Sequence, residues 1–221
     1  MAIKPILFNT EMVRAILDGR KTCTRRSVSS RQFLGMLPDK CKNAAPDEFL
    51  KGKRMMFKPY CDMTDAELIM TAYKAPYKYE PGDILYVRET WCALPVNEAG
   101  HMRGHSVYYY KADGDLRPEG WRGKWKPSIH MPKEAARIWL RVTDVRVERL
   151  QDIDGKGCVK EGIEEEPLKY VGDEFVKGIF HDLWDSTIKK SDLDRYGWNA
   201  NPYVFVIEFV KIDKPEEIQN A

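Results

Sequence analysis

Residues 20–26 combine side chains that could bind and act on a polar ligand. Seven positions hold three arginines, one lysine and two threonines: Arg20, Lys21, Thr22, Thr24, Arg25 and Arg26. Four cations and two hydroxyls in one segment favour a negatively charged or strongly polar ligand. The sequence therefore predicts a basic binding segment here.

A second group of functional side chains follows a short apolar run at residues 84–87. Arg88, Glu89 and Trp91 come directly after this run. An accessible Trp91 could stack on a nucleic-acid base, a contact worth ~1–3 kcal/mol in proteins that bind single strands. The alternative is that Trp91 belongs to the core and that Arg88 and Glu89 form a partly exposed pair. The sequence leaves both interpretations open.

Residues 121–130 form a third candidate region, in which aromatic and cationic side chains alternate. The interleaved residues are Trp121, Arg122, Lys124, Trp125 and Lys126. This composition is typical of loops that contact phosphates through Lys and Arg and stack bases on Trp. The alternative is that the tryptophans plug one end of the fold. Ser128 and His130 follow, and on a strand their spacing of two would put both on one face.

No cofactor and no metal site are predicted. The phosphate-binding pattern Gly-x-x-x-x-Gly-Lys-Ser/Thr and the dinucleotide pattern Gly-x-Gly-x-x-Gly are both absent, which disfavours enzymes that use nucleoside triphosphates or dinucleotides. His101 and His105 have a spacing that aligns two zinc ligands on a helix. Gly100 and Gly104 argue against a helix there, however. The five cysteines are scattered without a Cys-x-x-Cys pair, so we expect free thiols.

The composition is that of an ordinary globular protein. The chain has 221 residues, of which 43% are hydrophobic and 32% charged, and we expect a single domain over residues 1–212 with a flexible tail at 213–221. The net charge of +2 does not indicate a protein that coats duplex DNA, although basic residues concentrate in the first quarter of the chain. Because no apolar run approaches ~18–20 residues and no signal peptide is evident, we expect a cytoplasmic protein without membrane contact.

The elements that must position these residues alternate between strands and short helices. Residues 11–17 have apolar positions at helical spacing, with Asn9 or Thr10 as a candidate cap and Gly19 as the end. Residues 93–104 and 186–200 are predicted as loops, and 27–80 as an irregular insertion. The remaining predictions are strands at 4–8, 84–87, 106–112, 135–150 and 203–212 and helices at 152–161 and 175–184. Together they predict an α+β fold.

The order of motifs resembles that of ASCH-domain proteins, which are relatives of the PUA RNA-binding fold. The pattern Ile-Leu-x-Gly-Arg-Lys-Thr-x-Thr-x-Arg at 16–26 is similar to their opening motif, and Gly-Asp-Ile-Leu-Tyr-Val-Arg-Glu at 82–89 to their central strand. Residues 139–150, 158–163 and 203–210 are similar to their later strands and short helix. The whole chain looks like the longer ASCH proteins of prophages. The resemblance implies a small mixed β-barrel with flanking helices, a cleft beside the first helix, and insertions at 27–80 and 93–132.

The resemblance also implies a catalytic trio. Small ASCH amidohydrolases that remove the acetyl group from N4 of acetylcytidine have a lysine, a threonine and a glutamate in motif positions that match Lys21, Thr24 and Glu161. A threonine hydroxyl needs a base, and a lysine can serve only if its pKa, ordinarily ~10.4, is lowered by burial or neighbouring cations. The alternative is a simple Lys21–Glu161 ion pair, worth ~0–1 kcal/mol if exposed, with Thr24 an ordinary strand residue.

The leading hypothesis is a protein that binds a nucleoside or an RNA base and hydrolyses the N4-acyl amide of a modified cytidine. Arg26 and Arg88 would hold the polar edge or phosphate of the ligand. The insertions have no counterpart in the small amidohydrolases, so a non-catalytic module that binds RNA or single-stranded nucleic acid is the alternative. Two further alternatives are a ribonuclease and a phage morphogenesis factor. Ribonuclease activity is reported for another branch of the family, and Ser128 would be its serine here.

Overall fold

The structure is a computed structural model that describes residues 1–28, 78–95, 106–117, 119 and 123–215. Most of the predicted insertion at 27–80 and part of the one at 93–132 lie outside these residues, as does the end of the tail. The described residues form seven strands and five α-helices: β1 (Ile3–Leu7), α1 (Thr10–Leu17), β2 (Cys23–Ser27), β3 (Ile84–Arg88), β4 (Trp91–Pro95), β5 (Ser106–Tyr110), β6 (Trp139–Arg149), α2 (Gly155–Lys160), α3 (Glu166–Val171), α4 (Asp173–Thr187), α5 (Leu193–Tyr196) and β7 (Tyr203–Ile212). The α+β class is confirmed.

Five of the strands form one mixed sheet in the order β1-β3-β6-β7-β2, and β4 and β5 form a separate two-stranded sheet. Strands β1 and β3 are parallel, whereas β3 pairs with β6 and β2 with β7 in antiparallel fashion. Within the described residues the strand order is open, with β1 and β2 at its ends, and no closed barrel is formed.

The described residues divide into two compact units. The first contains those of Met1–Thr22, Pro81–Thr143 and Phe209–Ala221, and the second contains those of Cys23–Glu80 and Asp144–Glu208. Each unit has its own apolar cluster. In the first unit Trp139, Met131, Ile84, Tyr86 and Trp91 pack together, and in the second unit the sheet face packs against α2 and α4.

In the first unit, α1 follows the local signals of the sequence. The side chain of Asn9 accepts a hydrogen bond of 2.8 Å from the backbone amide of Met12, which satisfies one of the amides that a helix start leaves without a partner. The buried Val13 and Ile16 form its apolar face. Gly19 follows the helix with a φ of 79°, a backbone conformation that glycine adopts without steric cost.

One prediction for the region after β3 is wrong, and the strand on which Ser128 and His130 would share a face is not formed. The predicted loop at 93–104 begins with a strand, because β4 pairs in antiparallel register with β5 from Trp91↔Tyr110 to Pro95↔Ser106. Ser128 and His130 do not lie on a strand but in a single 3-10 turn that follows Pro127. Their spacing of two therefore does not place their side chains on one face.

In the second unit, the core lies between the sheet and the helices. Val176, Phe180 and Trp184 form the buried face of α4 and belong to the same cluster as Val204 and Val206 of β7. The sequence prediction missed α3 entirely. The predicted loop at 186–200 is also wrong, since this segment contains α5 and two 3-10 turns. The indole of Trp184 donates a hydrogen bond of 2.7 Å to the carbonyl of Tyr196, which anchors the segment to α4.

Among the described residues, no helix is both long enough and apolar enough to span a membrane.

Candidate functional site

Strand β2 directs Arg25 into a polar pocket of the second unit. Alternation along the strand puts Cys23 and Arg25 on one face and Thr24 on the other, and the first two line the pocket. The Arg25 side chain is only 4% exposed. One of its terminal nitrogens donates to Glu161 Oε1 at 3.2 Å, and the other donates to Glu148 Oε2 at 3.2 Å. Arg25 thus joins two carboxylates.

Helix α2 sets the position of Glu161. The side chain of Asp154 caps the helix by accepting from the amide of Gly157 at 2.7 Å, and Glu161 is the residue at its C-terminal end. A Cβ atom on Gly157 would lie 2.9 Å from Ile153 Cγ1 and 3.4 Å from Arg25 Nη2. The glycine that weakens this helix by propensity therefore allows the helix to pack closely beside the Arg25 guanidinium.

A second arginine organises the other carboxylates of the pocket. Arg146 donates from Nε to Glu148 at 2.5 Å and from Nη1 to Asp144 at 2.9 Å and Glu208 at 2.8 Å. Lys160 adds a contact of 3.3 Å to Glu208. Burial by itself would raise the pKa of Glu208, but the hydrogen bond from Arg146 and the charge of Lys160 outweigh it and lower the pKa. Glu208 is therefore an ionised acceptor at neutral pH.

The pocket that these side chains enclose has a volume of about 340 Å³. This volume is in the range of small-molecule sites. Four cations and four carboxylates contribute to its lining: Arg25, Arg146, Lys156, Lys160, Glu148, Asp152, Asp154 and Glu208. The lining therefore offers both hydrogen-bond donors and acceptors, which suits a polar ligand that carries both kinds of group better than it suits a simple anion.

Arg25 has unused donor capacity. Its Nε atom is buried and has no hydrogen-bond partner within the described part of the chain. A buried donor that stays unsatisfied costs about 1–3 kcal/mol, and the two carboxylate contacts of Arg25 hold the guanidinium in place at that cost. Burial raises the pKa of the neighbouring Cys158 thiol to about 12, although the Arg25 charge opposes this, so the thiol is neutral near pH 7.

Thr24 is the predicted nucleophile on this strand, and it is almost completely buried. Its side chain is on the face of β2 opposite Arg25 by alternation, and its exposed fraction is 1%. Arg26 follows on β2 and is half-buried. The structure therefore brings Glu161 against Arg25, and Thr24 is not among the residues that line the pocket in the described part of the chain.

In the first unit, Lys21 is buried after the end of α1. Its exposed fraction is 2%, its amide donates to the carbonyl of Ala15 at 2.9 Å, and its Nζ lies 5.8 Å from the ring centroid of Phe8. Arg20 pairs with Asp18 at 3.0 Å on the surface. A lysine buried to this extent is unusual in a folded protein.

Arg88, Glu89 and Trp91 are held by the interior of the first unit. Arg88 donates to the carbonyl of Ile129 at 3.2 Å. Arg137 binds both carboxylate oxygens of Glu89, at 2.9 and 3.1 Å; burial raises the pKa of Glu89 although Arg137 opposes it. Trp91 is 5% exposed. The structure thus places Trp91 in the core, and Glu89 in a buried clamp with Arg137.

Trp125 makes a cation–π contact with Arg117. The guanidinium of Arg117 lies 4.5 Å from the ring centroid and is fixed by two contacts to Asp115 and one to the carbonyl of Gly123. Trp121 and Arg122 lie outside the described residues, so the predicted alternation is seen only in part. Ser128 is half-buried and His130 exposed.

The prediction missed Arg146, Glu148 and Glu208, which complete the pocket. The signal was available in β6, where Asp144, Arg146 and Glu148 occupy every second position and therefore share one face. Alternating charges on one face of a strand indicate a polar surface rather than a core. The other partner, Glu208, is one of two charged residues in a largely apolar strand. Only its pairing with Cys23 across the sheet places it at the pocket.

Comparison of the chain with protein-family models, with curated proteins and with solved structures finds no match. Within the described residues, no three His, Cys, Asp or Glu side chains gather closely enough to hold a metal ion. His101 and His105 lie outside this part of the chain.

Proposed function

We propose that this protein binds a nucleoside or an RNA base in the polar pocket of its second unit. The observation that carries the proposal is the polar pocket itself, in which the guanidinium of Arg25 lies beside the carboxylates of Glu148 and Glu208. The resemblance of the sequence to ASCH proteins points to the same class of ligand. We also propose that the fold is related to the PUA-like barrel of that family, although the described strands form an open sheet.

The chemistry of the lining fits a cytosine-like base. Such a base presents neighbouring acceptors and an exocyclic amine on one edge, and the pocket offers guanidinium donors beside the carboxylates of Glu148 and Glu208. Arginine is suited to this role because its planar donors keep a fixed geometry. Lys156 and Lys160 would meet a phosphate, to which they bind as point charges.

Titration calorimetry with cytidine, cytidine monophosphate and adenosine monophosphate tests this proposal. Arg25→Lys keeps the charge but removes the planar donors, and we expect it to weaken cytidine binding about tenfold. Lys156→Ala should weaken binding of cytidine monophosphate more than binding of cytidine. The matched control is Arg141→Ala, an exposed arginine of β6 in the first unit. Equal affinity in Arg25→Lys and the wild type would remove the pocket as the binding site.

We further propose that the protein hydrolyses the N4-acyl amide of a modified cytidine. In this mechanism Lys21 takes the proton of the Thr24 hydroxyl, and Thr24 Oγ bonds to the acyl carbon as the bond from carbon to N4 breaks. The proton then passes to the leaving N4, either directly from Lys21, which Glu161 orients, or through Glu161 as carrier. Water then cleaves the acyl ester to regenerate Thr24. The support is the resemblance of the motifs and the burial of the three residues, which are 2%, 1% and 5% exposed, since polar residues are seldom buried to this extent.

Release of cytidine from N4-acetylcytidine, followed by chromatography, tests the reaction. Lys21→Ala should abolish turnover, while circular dichroism shows an intact fold. Arg141→Ala is the control, because Arg141 is an exposed residue of the first unit outside the predicted site. Arg25 and Thr24 are on opposite faces of β2. The binding proposal and the hydrolysis proposal are therefore tested by separate measurements. Unchanged release by Lys21→Ala would reject the mechanism and leave the binding proposal standing.

A further inference from the structure

Helices α3 and α4 of the second unit expose large apolar side chains outside the pocket. Four of them fall within ten residues of the chain: Tyr170 is 80% exposed, Val171 60%, Phe175 52% and Ile179 37%. The opposite face of α4 is filled by Val176, Phe180 and Trp184 in the core. We name the four exposed residues, together with Gly178, the α3–α4 face. Apolar groups gathered in this way indicate a site of protein interaction.

Gly178 lies on the exposed side of α4. Phe175 is three residues before Gly178 and four before Ile179, so it neighbours both of them on this side of the helix. A Cβ atom at Gly178 would meet no atom of the described residues within 4 Å, so packing within this part of the chain does not require a glycine. Glycine is the least favourable residue in a helix interior after proline. Its effect here is to leave room for the backbone of a second helix to approach closely.

The charges around the α3–α4 face have one predominant sign. Between residues 164 and 182 six carboxylates are exposed: Glu164, Glu165, Glu166, Asp173, Glu174 and Asp182. The same segment has two lysines, and each already pairs with one of these acids: Lys169 lies 2.9 Å from Glu165 and Lys177 3.7 Å from Glu174. The surroundings of the apolar side chains therefore favour a positively charged partner and disfavour an acidic one.

We propose that the α3–α4 face docks a cationic amphipathic helix of a partner polypeptide. The apolar face of the partner packs on Phe175 and Ile179, its backbone approaches at Gly178, and its Lys and Arg side chains meet the surrounding carboxylates. Helices that bind in this way present apolar anchors at positions i, i+3, i+4 and i+7. The proposal is independent of the pocket and of its ligand.

A labelled synthetic helix of leucine and lysine in an amphipathic pattern is the probe, and a leucine–glutamate helix of the same pattern is its counterpart. Fluorescence anisotropy should show binding of the lysine peptide to the full chain, weakened at least tenfold between 50 and 300 mM salt, and no binding of the glutamate peptide. Phe175→Ser should weaken binding of the lysine peptide at least tenfold. Leu116→Ser, at a 69% exposed leucine of the first unit, should leave its affinity unchanged.

Gly178→Ala separates docking from folding. Alanine should raise the melting temperature by about 2–4 °C because it favours the helix. It should nevertheless weaken binding of the lysine peptide about threefold or more, because its methyl group occupies space on the α3–α4 face. Equal affinity in the wild type, Phe175→Ser and Gly178→Ala would overturn the proposal. Binding of both peptides alike would also overturn it. A dimer in sedimentation that Phe175→Ser dissolves would replace the partner helix with a second copy of this chain.

Discussion

The guanidinium of Arg25 binds the carboxylate of Glu161 at 3.2 Å, and each side chain is 4% exposed. The two residues are 136 positions apart in the chain. The pair fixes the end of α2 beside β2, and it gives Glu161, a predicted catalytic residue, a permanent cationic partner.

Loss of Arg25 should destabilise the fold strongly. We expect Arg25→Met to lower the free energy of unfolding by about 3–5 kcal/mol, because Glu161 would keep a buried charge without this partner. Urea unfolding followed by tryptophan fluorescence measures the change. Lys169→Met is the control, because it breaks an exposed pair with Glu165 and should cost at most about 1 kcal/mol. Similar losses in the two variants would contradict a buried pair.

The carboxylate of Glu208 should make the second unit sensitive to acid. Its pKa is lowered in the folded state, so its contribution to stability is present above its unfolded pKa and is lost as the pH falls through the folded value. We expect Glu208→Gln to reduce stability at pH 7 and to flatten the dependence of stability on pH below 4.5, the ordinary value. Unfolding in urea at pH 7, 5, 4 and 3 measures this. Parallel curves for the wild type and the variant would refute it.

Cys158 should resist alkylation in the native protein. Its thiol is fully buried, and burial raises its pKa to about 12, so the reactive thiolate is scarce at pH 8. Iodoacetamide followed by peptide mass spectrometry should leave Cys158 unmodified in buffer and modify it in urea. Rapid native modification would show that α2 opens away from the sheet.

Asn9 should contribute to the stability of α1 through its cap. Asn9→Ala removes the acceptor for the Met12 amide and should cost about 0.5–2 kcal/mol. At ~2–4 °C per kcal/mol for a chain of this size, calorimetry should detect the shift in melting temperature. Asn9→Ser keeps a capping oxygen and should recover most of the loss. Equal melting temperatures for the alanine and serine variants would show that the cap contributes little.

The sequence by itself determined the elements whose signals are local. Asn9, the apolar spacing of α1 and the position of Gly19 defined that helix, because capping and a positive φ depend on a few neighbouring residues. The largely apolar run at 203–212 likewise predicted β7 with the bounds that the structure has. These signals need no knowledge of what packs against the element.

Only the tertiary structure decided which side chains meet. Gly157 argues against a helix by propensity, yet α2 forms because the glycine lets it pack beside Arg25. Residues 93–95 of β4 were predicted as part of a loop, and pairing with β5 supplies what propensity lacks there. The pocket joins residues from β2, β6, α2 and β7. Contacts between such distant positions depend on how the chain folds back on itself, and local residue patterns carry no record of that.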